Sequence, residues 1–82
     1  MNAQLVQKLE AVGFFYQASI LKGGKGYWKY DSVGTLAAAQ EVDDGVEFQC
    51  YSKVNTNKRT RVFLKGDAEK LYKGIVNIMQ CH

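Results

Sequence analysis

Apolar residues recur along this chain with two different periods. Leu5, Val6, Leu9 and Val12 follow the spacing of one helical stripe, which predicts a helix over residues 3–12. Asn2 can cap its start and Gly13 can end it. The pattern then changes. Residues 14–21 are uncharged, with aromatic and β-branched members, and read as a strand. A glycine-lysine turn over 22–26 leads to a return strand over 27–31, and Ser32-Val33-Gly34 makes the next turn. Residues 35–42 are ambiguous, because Leu36-Ala37-Ala38-Ala39 favours helix by propensity. Asp43-Asp44-Gly45 directly after them is a hairpin signal, and a hairpin needs a strand before it, so a strand is expected.

Residues 46–54 alternate with period two. Val46, Phe48, Cys50 and Val54 fall on one side and Glu47, Gln49, Tyr51 and Lys53 on the other. A polar loop over 55–59 precedes a second alternating strand over 60–65, with Val62 and Leu64 inward. Gly66 and Asp67 break the chain, and Asp67 can cap a last helix whose buried stripe is Leu71, Ile75, Ile78 and Met79. Gly74 weakens that helix unless it packs closely on the sheet. The expected fold is therefore α+β: a helix, an antiparallel sheet of about five strands, and a helix, with both helices on one face of the sheet. Its 82 residues make a single domain over 1–82.

The open face is where the chemistry collects. Tyr27 and Lys29, Tyr51 and Lys53, and Arg61, Phe63 and Lys65 place aromatics and bases two residues apart on three strands, with Phe15 on a fourth. Aromatic rings interleaved with cations suit a contact surface. These eight residues are the expected partner-binding set. The uncharged first strand would be a sheet edge without the guards that Arg61 and Lys65 give the other edge, so pairing with a second copy is a further expectation.

Charge modifies this picture only mildly. Eleven bases against eight acids give a net charge of +3. Lys22 and Lys25 in one turn, with Lys58 and Arg59 in another, open an alternative: single-stranded RNA or DNA bound without sequence preference. In an up-and-down meander, however, the acidic hairpin tip shares an end with the first basic turn. The second basic cluster lies at the opposite end, so no continuous basic track forms.

Catalysis has little to work with. The one histidine, His82, stands at the end of the chain, which removes the usual general base. The glycine-lysine turn leads into a strand, whereas a phosphate loop leads into a helix. Cys50, Cys81 and His82 match no zinc spacing, and Cys50 reads as a small buried apolar residue. No enzyme, metal or cofactor is expected. No apolar stretch reaches the roughly 18 residues of a membrane span, and the start is unlike a signal peptide, so a cytoplasmic setting without membrane contact is expected.

One stretch has a family likeness. QLVQKLEAVGFF, from Gln4 to Phe15, followed by a strand and a glycine-lysine turn, resembles the opening of HicA-type toxin ribonucleases. The resemblance implies a double-stranded-RNA-binding-like helix–sheet–helix fold. That family has a catalytic histidine in a glycine-serine-histidine motif, and the matching GGKGYW here has none. The likeness would imply RNA contact without cleavage, but it covers about a quarter of the chain and is mostly generic helix pattern. The expected function is instead that of a non-enzymatic binding module for a protein partner or itself, of a kind that would suit a phage or mobile-element inhibitor.

Overall fold

The computed structural model describes residues 2–18, 26–43, 45–54 and 58–80. The first helix, α1, spans Ala3–Ala11. Asn2 accepts the Gln4 N–H on its side chain at 2.7 Å, satisfying one of the helix's orphan donors. Gly13, at φ +111°, takes the left-handed conformation just past the helix end. The turn it makes brings the Phe14 N–H to the Leu9 carbonyl at 2.9 Å. Val12 falls outside the helix and is 40% exposed rather than part of the buried stripe, because the chain turns there.

Five strands follow: β1 Phe15–Gln17, β2 Tyr27–Asp31, β3 Thr35–Val42, β4 Gly45–Ser52 and β5 Arg59–Leu64. They pair antiparallel in chain order, β1-β2-β3-β4-β5, as an open meander with β1 and β5 at its edges. Residues 35–42 are strand throughout, so hairpin pairing overrides the alanine-rich helix propensity. Val42 pairs with Gly45, leaving a two-residue tip. Gly45 is required there, since a Cβ would collide with the carbonyl oxygen of Leu64 on β5.

Three strand bounds differ from the expected ones. β1 is shorter than the strand read over 14–21: Phe14 and Ala18 lie outside it, and 19–21 lie outside the described residues. β4 ends at Ser52, which leaves Val54 86% exposed instead of inward. β5 starts at Arg59, which puts that residue on the sheet rather than in the loop.

Strand alternation separates two faces. Ala37, Ala39, Val46, Phe48 and Cys50 share one core with Leu5, Leu9, Phe14, Ala68, Leu71 and Ile75, so residues of both helices contribute to it. The last helix, α2, spans Ala68–Gln80. Asp67 caps it by accepting the Lys70 N–H at 2.9 Å. At Gly74 a Cβ would stand 3.3 Å from the Leu64 side chain, so the glycine marks close packing of α2 on β5. Phe48, fully buried, lies between Ala39 on β3 and Val62 on β5.

A candidate interaction face

The register determines what the uncovered face displays. One row across the strands runs Phe15, Lys29, Ala38, Gln49, Arg61. On one side of it lie Gln40, Glu47 and Phe63, with Gln17 opposite Tyr27 toward the β1 edge. On the other side runs Asp31, Leu36, Tyr51, Arg59. The sheet therefore brings together Phe15, Tyr27, Lys29, Tyr51, Arg61 and Phe63. Lys53 and Lys65 stand just beyond the ends of β4 and β5, both exposed. Phe63 is 62% exposed and Phe15 is 45% exposed. These rings stand at the two edges of the face, where they could anchor a partner.

The cations are largely engaged. Lys53 reaches from the end of β4 to the Asp31 carboxylate at the end of β2. Its hydrogen bond holds the Asp31 carboxyl below the usual range, with a smaller contribution from the charge of Lys29. Arg61 donates from Nε to Glu47 Oε1 at 2.7 Å, and Gln49 donates to the same oxygen at 3.1 Å. The Arg61 hydrogen bond lowers the Glu47 carboxyl, against the opposing effect of partial burial, and Gln49 adds to the lowering. Arg59 lies over the Tyr51 ring, 5.4 Å from its centroid. Lys29 alone of these four bases makes neither an ion pair nor a ring contact among the described residues.

The expected site residues did not include the outer face of β3. Leu36, Ala38 and Gln40 are on it, and with Tyr27, Lys29, Gln49 and Tyr51 they line a shallow hollow of about 350 Å³. Ala38 occupies the middle of the row, flanked by Lys29 and Gln49, and its short side chain leaves the space. A signal existed in the sequence. The acidic hairpin tip pairs Val42 with Gly45, and counting back from that pair places Ala38 opposite Gln49. Arg59 was also expected in a loop and instead joins the face.

Of the alternative basic residues, Lys58 is exposed beyond the opposite end of the sheet from the acidic hairpin, with its carbonyl accepting the Ser52 N–H. Lys22 and Lys25 lie outside the described residues, as do Cys81 and His82. Cys50 is a free, buried thiol whose pKa burial pushes up, so it is held as the neutral form. Among the described residues, no three His, Cys, Asp or Glu side chains come close enough to share a metal ion. No described helix is long and apolar enough to cross a membrane. No family model, curated protein or solved structure matches the chain, so the likeness to HicA-type toxins gains no support.

Proposed function

We propose that this protein is a non-enzymatic binding module whose open sheet face receives a protein partner. The observation that carries this reading is the ion pairing of the face. Asp31–Lys53 and Glu47–Arg61 tie two cations to carboxylates, while Phe15 and Phe63 stay exposed beside them. A face that pairs two of its cations internally and keeps open rings beside them fits the aromatic and arginine anchors of protein interfaces. It fits a phosphate track less well, because phosphate affinity rises with the number of unengaged cations. Single-stranded RNA or DNA is the second reading, favoured by Arg59 over Tyr51, an arrangement on which a base could stack. A second copy of the chain is one candidate partner, through the short uncharged edge β1. The buried free thiol of Cys50 suits a reducing compartment such as the cytoplasm.

Cross-linked capture after nuclease treatment tests this. Tyr51→Ala and Phe63→Ala should each abolish recovery of the partner that the native protein captures, with the circular dichroism spectrum unchanged. Equal recovery by native protein and both variants would refute the reading. Capture that disappears on nuclease treatment alone would move the assignment to nucleic acid. Sedimentation at rising protein concentration reads self-association directly.

A further inference from the structure

We infer that the hollow over Ala38 is the anchor pocket of this face, and that it takes an apolar side chain flanked by a carboxylate on an acidic segment of the partner protein. The inference rests on the protein-binding reading above. Shape comes first. Ala38 is the smallest side chain of its row, and the longer Lys29 and Gln49 stand on either side of it. The resulting space of about 350 Å³ is at the lower end of the range for ligand pockets, which suits one large side chain and part of its neighbour. Its floor is Ala38 and Leu36, both apolar, and Tyr27 and Tyr51 line it with rings that also carry hydroxyls. An aliphatic or aromatic side chain would lose water there and keep polar neighbours at its rim.

Charge then selects the flank. Glu47 also lines the hollow, but Arg61 and Gln49 already hold its carboxylate. Asp31 is held by Lys53. Lys29 lines the same hollow with no ion pair among the described residues. An incoming carboxylate therefore meets an ammonium that forms no ion pair among the described residues, although its charge also reaches Asp31. An incoming cation would have to displace Arg61 or Lys53 from its partner. A nucleic-acid strand would find one available lysine at the hollow and a fixed carboxylate beside it, so successive phosphates would go unmatched.

Random short peptides displayed on phage and selected against the full-length protein test this, with affinities of the selected peptides measured by fluorescence polarisation. The expected peptides carry an aromatic or branched apolar residue next to Asp or Glu. Lys29→Glu and Ala38→Trp should each weaken them by at least about tenfold, the size of a central anchor's loss. If Ala38→Trp disturbs the fold by circular dichroism, Ala38→Leu replaces it as the filling variant. Selected peptides without acidic residues, or bound equally well by both variants, would overturn the inference. In that case, weakening by Phe63→Ala would leave the sheet-face reading standing, and no weakening by Phe63→Ala or Tyr51→Ala would remove that reading as well. Failure to select any peptide also overturns the inference. So does oligo-dT that binds the native protein and displaces the peptides.

Discussion

Ala38 and Ala39 are neighbours on one strand, and the two faces they serve use the same methyl group in opposite ways. Ala39 is fully buried between Trp28 and Phe48 in the inner row. Large rings flank it, and its small side chain fits between them in the core. Ala38 sits between Lys29 and Gln49, and no described residue closes over it, so its small size leaves a hollow. The phenylalanines divide likewise: Phe48 is 0% exposed and Phe63 62% exposed, one strand apart. Residue size acquires a meaning only once the face is known.

The largest expected effect sets those two rings against each other. Phe48→Ala removes a fully buried ring and should cost about 3–5 kcal/mol in chemical denaturation, enough to unfold many domains of this size. Phe63→Ala should stay within about 0.5 kcal/mol of the native protein, because its ring faces water. Comparable losses would mean that the outer face is covered, and the division between faces would fail. Overpacking gives the next contrast. Ala39→Leu should cost about 1–3 kcal/mol by forcing Trp28 and Phe48 apart, whereas Ala38→Leu has room in the hollow and should cost less than about 0.5 kcal/mol. Gly45→Ala belongs in the same range as Ala39→Leu, since its Cβ meets backbone of β5 rather than a side chain that can swing away. A Gly45→Ala protein with an unchanged melting point would show that β4 and β5 can separate at that end without loss.

How much of this was legible depended on range. The α1 caps, the Asp67 cap and the reason for Gly74 followed from residues within a turn or from one glycine's cost. The outward set Phe15, Tyr27, Lys29, Tyr51, Arg61 and Phe63 followed from period-two alternation, which polar and apolar residues report plainly. β3 reports nothing of the kind, because Leu36-Ala37-Ala38-Ala39 are all apolar and its faces differ only through pairing with β2 and β4. For that reason only the count back from the hairpin tip could reveal the hollow. The ion pairs were hidden by distance, since Lys53 and Asp31 lie 22 residues apart and Arg61 and Glu47 lie 14 apart. Only the strand register decides that these charges meet rather than stand free for phosphate. Val54 misled because alternation continues in the sequence past the point where the ladder stops at Ser52.

The smallest effect concerns those pairs, and it sharpens the comparison most. Asp31 and Glu47 titrate below their ordinary values, chiefly through hydrogen bonds from Lys53 and Arg61 respectively. A carboxyl whose folded pKa is depressed contributes stability that is present above its unfolded value, about 4 for these two residue types, and lost as pH falls through the folded value. Asp31→Asn with Glu47→Gln should therefore flatten the loss of stability below about pH 4 and change little at neutral pH, where surface pairs contribute weakly. Thermal melts of both proteins across the acid range read this, and parallel acid limbs would deny the pairs any part in stability. The same double variant bears on binding. Lys29, Lys53, Arg59, Arg61 and Lys65 against Asp31 and Glu47 give the described face a charge of +3, and neutralising both acids makes it +5 with Lys53 and Arg61 released. If the carboxylates are what keep the face from serving as a phosphate track, the double variant should retard oligo-dT at low salt where the native protein does not, and rising salt should abolish the retardation. A double variant that still ignores oligo-dT would place the barrier in the spacing of the cations across the strands rather than in their pairing.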